Sequence, residues 1–323
     1  MGIFLTDITA LEYWRIDGRA HCGAAPSASF GRARSNAAFR PSAVELSELE
    51  SRGFSYLSKP IHVLVPDQSM RLHCREAVFH TCSYCLHPNS YVQVSCDLFV
   101  AKPELALLSV ARHASMPEVV QLCFELCGSY RLLAEGGFRA AEPLATPESL
   151  RRFAARSSRM FGAEAVAGAS RFALAGSASP METVAAMLLT LPRRLGGYGL
   201  PQPVLNYRVD IPEASRWLTD KSYYVVDLCW PKERVAVEYD SDLYHVGAER
   251  IAADAARKNV LFHIGYPVTT ICREQIMSAR NMDGIAEMLT RRLGLRVRFG
   301  SGQWRSRQGE LRAAVLPGGG RHA

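Results

Sequence analysis

The sequence predicts an α/β protein in two parts, an N-terminal α+β domain and a C-terminal domain with elements in the order α-β-β-β-α-β-α. The chain has 323 residues, which is long enough for two hydrophobic cores. Apolar runs of strand length alternate with helical patterns after Gly176, and a Gly- and Ala-rich stretch precedes them. The second part therefore has the more regular predicted architecture.

Residues 1–133 form the predicted N-terminal domain. Its clearest elements are two strands and two helices, in residues 61–65, 91–100, 103–111 and 117–127. Gly128 suits the end of the second helix, because glycine often closes helices. Residues 134–177 are expected to be a linker with one basic helix, since Thr146 is a good N-cap and Pro147 suits a first turn.

Residues 178–295 form the predicted C-terminal domain. Ser179 and Glu182 have the spacing of a capping box, which predicts a helix that extends to about residue 191. Strands are predicted for residues 204–211, 222–229, 234–240 and 266–271, and helices for residues 247–264 and 275–293. A tight hairpin loop at residues 230–233 joins the second and third strands. Residues 296–323 are rich in Gly and Arg, and a disordered basic tail is expected there.

Positive charge is concentrated in the C-terminal part of the chain. The net charge is +7, and residues 134–323 contain 26 Lys and Arg against 19 Asp and Glu, whereas residues 1–133 contain 12 of each. A basic excess confined to one domain predicts a polyanionic partner, of which nucleic acid is the commonest. The alternative is a solvated basic surface without a partner.

Cysteine usage and hydropathy indicate the compartment. The nine cysteines are an odd number spread over a long chain, which is not typical of a secreted disulfide framework. No apolar run approaches the roughly 20 residues of a membrane span, and no signal peptide is evident. We therefore expect a cytoplasmic protein with reduced thiols and no membrane association.

Carboxylates cluster at the ends of two neighbouring predicted strands. Asp227 lies near the end of one strand of the hairpin, and Glu238 and Asp240 lie near the end of the next. Residues two apart share one face of a strand, and neighbouring strands are about 4.8 Å apart, so the three acids converge. Unpaired, they would repel one another at a high desolvation cost. Oxygen ligands suit Mg²⁺ or Mn²⁺, and the sequence therefore predicts a metal site at these three residues.

Further side chains are candidates for catalysis or nucleic-acid binding. His245 could act as a general base or an electrophile, because histidine ordinarily titrates near neutral pH. Glu182 could be a fourth acid, although a capping-box residue already has a structural role. On the following helix, a polar stripe could bind a phosphate backbone or could be an exposed face with i,i+4 ion pairs. The basic residues of this stripe are Arg250, Arg257 and Lys258.

The acidic strands, the histidine and the helix that follows resemble the PD-(D/E)XK nuclease superfamily. Within it, the chain is similar to bacterial domains akin to very-short-patch repair (Vsr) endonucleases, whose signature is D…E-x-D-G-x-x-H. The resemblance covers about residues 178–293 and implies a restriction-endonuclease-like α-β-β-β-α-β core with Mg²⁺-dependent phosphodiesterase activity on DNA. The residues that carry it are Asp227, Glu238, Asp240, His245 and the segment 265–268.

The resemblance implies that Asp227 and Glu238 bind the metal and that Glu182 is the acid from the helix. Asp240 stands where many relatives have a signature lysine. A positive charge then has to come from elsewhere, with Lys258 or Arg257 as candidates, or is absent.

Two departures from the signature concern the segment before His245. Ser241 replaces the glycine, and one additional residue separates Asp240 from His245.

The main prediction is a metal-dependent DNA endonuclease that acts in phage defence or DNA repair. The alternative is a non-catalytic DNA-binding regulator of antitoxin type, built on a degenerate nuclease fold.

Other motifs carry less functional information. Segments 10–15, 61–66 and 125–130 resemble the leader domains before such nuclease domains in proteins likened to abortive-infection antitoxins. A single C-x₂-C is half of a typical zinc site, so ordinary thiols and histidines are the simpler interpretation of the cluster between residues 73 and 87. This cluster contains His73, Cys74, His80, Cys82, Cys85 and His87.

Tyr198 could stack on a base or pack within its loop.

Overall fold

The computed structural model describes residues 2–16, 27–28, 43–71, 74–82, 86, 89–240, 248–296 and 302–317. The chain divides into two compact units, each with helices and strands, which confirms the predicted α/β class. One unit contains Met1–Leu126 and Arg131–Arg171, and the other contains Cys127–Tyr130 and Phe172–Ala323. Residues 134–171 therefore belong to the first unit, and the structure differs here from the predicted linker.

The first unit is built on a six-stranded mixed sheet in the order β2-β5-β6-β1-β3-β4. Strand β1 is parallel to β6 and antiparallel to β3, and β3 is parallel to β4. The strands are β1 (Ile3–Leu5), β2 (Ser27–Ala28), β3 (Ile61–Val65), β4 (Ala77–Thr81), β5 (Tyr91–Gln93) and β6 (Leu98–Ala101). The helices along this part of the chain are α1 (Asp7–Ile16), α2 (Ala43–Ser47), α3 (Pro103–Val110), α4 (Met116–Cys127), α5 (Pro147–Arg156) and α6 (Ala163–Ala169).

The predicted strand at residues 91–100 is in fact the hairpin of β5 and β6. The apolar run is interrupted by a polar turn, in which the Ser95 hydroxyl donates to Asp97 Oδ1 at 2.8 Å. The chain then reverses, so that Gln93 pairs with Phe99. A two-stranded ribbon, β7 (Tyr130–Leu132) and β8 (Phe138–Ala140), follows α4.

The second unit contains a four-stranded sheet in the order β12-β11-β10-β9. Its elements follow the predicted order α-β-β-β-α-β-α, except that two helices stand in place of the last one. They are α7 (Pro180–Thr190), β9 (Val204–Asp210), β10 (Tyr223–Trp230), β11 (Val235–Asp240), α8 (Ala248–His263), β12 (Val268–Cys272), α9 (Arg273–Met277) and α10 (Ala279–Arg292). Strand β10 is antiparallel to both β9 and β11, whereas β11 and β12 are parallel and are joined through α8.

Local capping sets the ends of the helices in this unit. The Ser179 hydroxyl accepts a hydrogen bond from the Glu182 backbone N–H at 3.1 Å, and α7 begins there as predicted. The single helix predicted for residues 275–293 is two helices, because Ser278 interrupts it. Its hydroxyl accepts from the Asn281 N–H at 3.2 Å and caps α10.

The prediction of a disordered tail over residues 296–323 is wrong for its central part. Residues Gly302–Val315 form α11, whose buried side chains include Trp304, Leu311 and Val315. The Trp304 indole N–H donates to the Gly197 carbonyl at 3.0 Å, and Arg312 Nη2 donates to the Ile276 carbonyl at 2.7 Å. Apolar residues at helical spacing therefore hold a segment whose Gly and Arg content indicated disorder.

Candidate functional site

Strands β10 and β11 bring Asp227 beside Glu238. Leu228 pairs with Val237 in the antiparallel ladder, so the next pair along the two strands is Asp227 and Glu238. Asp227 Oδ2 accepts a hydrogen bond from the Tyr239 backbone N–H at 2.7 Å. This bond fixes the aspartate side chain against the neighbouring strand at the point where the ladder ends.

Asp227 has an abnormal ionisation. Burial raises its pKa to about 7, and the negative charges of Glu182 and Glu238 act in the same direction. The hydrogen bond from Tyr239 and the charge of Arg257 oppose this rise. Asp227 therefore combines burial with two neighbouring acids, one from a helix and one from the adjacent strand, and both effects disfavour its ionised form.

Glu182 lies in the first turn of α7, and its side chain is held by Asn206, at which strand β9 is distorted. Glu182 Oε2 accepts from the Ala178 backbone N–H at 2.8 Å and from Asn206 Nδ2 at 3.1 Å. Asn206 has a left-handed backbone with φ of 47°, which asparagine tolerates better than most residues. It lies between the strand pairs that flank Asp227, where the β9–β10 register is interrupted. The distortion thus supplies the amide that orients Glu182.

Glu238 is buried and lies beside a single arginine from α8. The side chain of Glu238 is 8% exposed, and its Oε1 lies 2.6 Å from Arg257 Nη2. Oε1 nevertheless has no hydrogen-bond partner in the described part of the chain, so the contact is an ion pair outside hydrogen-bonding geometry. Arg257 Nη2 instead donates to the Val225 carbonyl. Burial raises the pKa of Glu238, and the charge of Arg257 opposes the rise.

The remaining charged residues of α8 lie near this pair. Lys258 Nζ forms an i,i+4 ion pair with Asp254 Oδ2 at 2.6 Å. This pair agrees with the alternative interpretation of this helix face, an exposed face with i,i+4 ion pairs. Both residues, together with Asp240 at the end of β11, influence the charge on Glu238. Asp240 is half-buried and pairs with Cys272 of β12.

Two predicted residues cannot be compared with the structure. His245 lies outside the described residues, and so does the side chain of Arg250, although its backbone is part of α8. Tyr198 is buried, with its hydroxyl donating to Asp283 Oδ1 at 2.8 Å and its ring against Trp304. Of its two interpretations, the structure supports packing within the fold.

The predicted metal ligands are neighbours but do not form a compact set of three. In the described part of the chain, one group of three ligating side chains has its atoms all within 4.8 Å of one another, and it consists of Asp7, His62 and His80 in the first unit. Asp227, Glu238 and Asp240 do not meet this distance. The sequence analysis did not connect Asp7 or His62 to a site; it singled out His80 only with its neighbours along the chain.

The carboxylate site fits a divalent cation by its chemistry. Its donors are carboxylate oxygens, the ligands that Mg²⁺ and Mn²⁺ prefer, and Glu238 Oε1 is a buried anion without a hydrogen bond in the described structure. A cation between Asp227 and Glu238 would offset both the burial and the like charges that raise the pKa of Asp227. Arg257 already supplies one positive charge there, so an ion would share Glu238 with it or displace it.

Comparisons with known proteins provide no further guide. The chain matches no family model, no curated protein and no solved structure. Among the residues that the structure describes, no helix has the length and apolar character required to cross a membrane.

Proposed function

We propose that the second unit is a metal-dependent DNA endonuclease that hydrolyses phosphodiester bonds. The observation that carries the proposal is the convergence of Asp227 with Glu182 and Glu238, because burial and then the charges of these two acids raise the pKa of Asp227 to about 7. A scaffold that only bound DNA would gain nothing from concentrated negative charge facing phosphates. A metal-dependent nuclease needs such a cluster, because the cation both neutralises it and attracts the phosphate.

Asp227 and Glu238 would hold the Mg²⁺ or Mn²⁺ ion, with Asp240 in reach of Glu238 as a further acid. The ion supplies Lewis acidity toward a phosphate oxygen and a coordinated water of lowered pKa. Glu182, which Asn206 orients, adds a third negative charge to the site. Arg257 is the cation beside Glu238 and offers the positive charge that many relatives take from lysine.

The order of elements also supports the proposal. The α-β-β-β-α-β succession from Pro180 to Cys272 agrees with the order that the PD-(D/E)XK resemblance implies. The acids lie at corresponding places, at the start of the first helix and on the second and third strands. Phage defence and DNA repair are the biological settings that this resemblance suggests.

The second candidate is a non-catalytic DNA-binding regulator. The observation that favours it is the ion pair of Arg257 with Glu238, because a guanidinium that permanently occupied the cation position would replace the metal. Asp240, which stands where many relatives have a lysine, also favours this candidate. Both candidates share DNA as the partner and differ in whether a metal ion enters the site.

Cleavage assays with an isosteric pair of variants test the proposal. Supercoiled plasmid and single-stranded DNA would be incubated with Mg²⁺ or Mn²⁺ and wild type, Glu238→Gln or Glu233→Gln. Glu233 is exposed in the turn between the same two strands and serves as the matched control. We expect cleavage by wild type and Glu233→Gln, and a loss of at least about 100-fold in Glu238→Gln.

DNA binding measured by fluorescence anisotropy in EDTA separates the two candidates. Glu238→Gln should bind labelled DNA at least as tightly as wild type, because it removes a negative charge. Equal cleavage by Glu238→Gln and wild type would refute the assignment of the site. DNA binding by wild type without any cleavage would establish the regulator instead.

A further inference from the structure

The first unit contains a second cluster of ionisable side chains, gathered from three neighbouring elements. Asp7 is the first residue of α1 and is separated by one residue, Thr6, from β1, the strand that pairs with β3. His62 is on β3, and His80 is on β4 beside it. Leu64 is the direct partner of His80 in this parallel pair, so the two histidines share one face of the sheet.

Hydrogen bonds hold the backbone of this cluster in place. The Thr6 N–H donates to the His62 carbonyl at 2.9 Å, and the His62 N–H donates to the Thr9 hydroxyl at 2.9 Å. Asp7 has a left-handed backbone with φ of 55°, which is uncommon for residues other than glycine. Strained residues of this kind are often found at functional sites.

The ligating atoms are close to the spacing that a bound metal requires. His80 Nε2 lies 3.0 Å from His62 Nδ1, which lies 3.4 Å from Asp7 Oδ1, and all three atoms are within 4.8 Å of one another. Ligands at 2.0–2.1 Å from a tetrahedral zinc ion are separated by about 3.3 Å. Small side-chain adjustments would therefore admit an ion between them.

We propose that Asp7, His62 and His80 form a binding site for Zn²⁺ or a similar divalent transition-metal ion. Two imidazoles and one carboxylate are the donor set of such ions, whereas Mg²⁺ prefers oxygen ligands throughout. The site is distinct in residues and in chemistry from the carboxylate site of the second unit.

The surroundings of Asp7 are those of an oriented metal ligand. Asp7 is fully buried, and its Oδ1 accepts from the Ile8 N–H at 2.9 Å. His113 Nε2 lies 3.1 Å and 3.2 Å from the two carboxylate oxygens. Groups that orient a ligand through such contacts are a regular part of metal sites, and His113 is the orienting residue here.

A cavity of about 170 Å³ reaches the cluster through His80. Polar side chains on its wall include Cys82, Tyr91, Ser109 and Arg112. The cavity therefore lies on one side of the cluster, where His80 forms part of its wall. The cavity also leaves room beside His80 for water or a small anion as an exchangeable ligand. Arg112 contributes a positive charge to the wall, which would favour an anion.

Metal titration of the full chain tests the site. The protein would be stripped with EDTA and titrated with Zn²⁺, and with Co²⁺ as a spectroscopic probe. We expect one equivalent to bind at this site in wild type, with affinity reduced at least about 100-fold in His62→Ala and in His80→Ala. His263→Ala removes an exposed histidine from the second unit and should bind as wild type does.

X-ray absorption at the zinc edge of the wild-type protein gives a test that requires no variant to fold. The expected first shell contains only nitrogen and oxygen at about 2.0–2.1 Å, with scattering from two imidazole rings. Sulfur at about 2.3 Å would assign the ion to the neighbouring cysteines and overturn the proposal. Absence of binding by wild type, or unchanged affinity in both histidine variants, would show that the cluster is only a hydrogen-bonded group.

Discussion

Asp227 links the ionisation of the second unit to its stability. Its pKa rises from an ordinary value of 3.8 to about 7 because the residue is buried and lies near Glu182 and Glu238. The folded protein therefore holds the proton more tightly than the unfolded chain does. The resulting stabilisation is complete below about pH 4 and is lost as the pH rises through 7, which is opposite to the usual behaviour of an aspartate.

The substitution Asp227→Asn should remove this pH dependence. In EDTA, we expect the variant to be more stable than wild type at pH 8 by about 1–3 kcal/mol, and nearly equal to it at pH 4. Unfolding of the second unit, followed by calorimetry across this pH range, measures the difference. A stability difference that stayed constant with pH would show that Asp227 does not titrate as described.

Arg257 is the counter-ion of Glu238 in the absence of metal. In EDTA, Arg257→Met should destabilise the second unit by about 2 kcal/mol, since it leaves a buried carboxylate without the guanidinium that pairs with it. Added Mg²⁺ should then raise the melting temperature more in the variant than in wild type, because the ion no longer competes with the guanidinium. Thermal unfolding with and without Mg²⁺ measures both effects.

Lys258→Met is the matched control for this experiment. Lys258 is next in the chain and pairs with the half-exposed Asp254, so its loss should change stability by no more than about 0.5 kcal/mol. Equal effects of the two substitutions would argue against a special role for Arg257.

At the scale of elements, local signals predicted much of the second unit. The hydroxyl of Ser179 caps α7, and short apolar runs mark β10 and β11, because these features depend on residues close together in the chain. The same reasoning failed at α11. Its composition indicated disorder, and only the contacts of Trp304 and Arg312 with distant carbonyls show why it is helical.

Helix α11 should contribute substantially to the stability of the second unit. Trp304→Ala removes a side chain that is 2% exposed together with its hydrogen bond to Gly197, and we expect a loss of about 3–5 kcal/mol. Gln303→Ala, on the exposed side of the same helix, should have little effect. Chemical denaturation of the two variants tests this difference. Comparable stabilities would mean that the helix is dispensable for the fold.

At the scale of the whole molecule, the two units carry different candidate sites. The first has the histidine and aspartate cluster on the β1–β3–β4 side of its sheet, and the second has the carboxylates of β10 and β11. Anything that binds only the folded state stabilises it by mass action. The two metals should therefore act on separate parts of the protein.

Differential scanning calorimetry of the full chain tests this separation. We expect two unfolding transitions, with Zn²⁺ raising the one assigned to the first unit and Mg²⁺ raising the other. Asp227→Asn should weaken the Mg²⁺ shift and leave the Zn²⁺ shift intact, and His80→Ala should do the reverse. A single transition that responds to both ions would contradict independent sites.

The succession of helices and strands from Pro180 to Cys272, and the acids at the ends of the hairpin, could be predicted from sequence alone. These follow from periodicity, capping and charge within short windows of the chain. The pairing of Arg257, rather than Lys258, with Glu238 became apparent only in the folded structure, as did the meeting of Asp7 with His62 and His80. Strand pairing and helix packing bring together residues far apart in the chain, and no local pattern records which of them will meet.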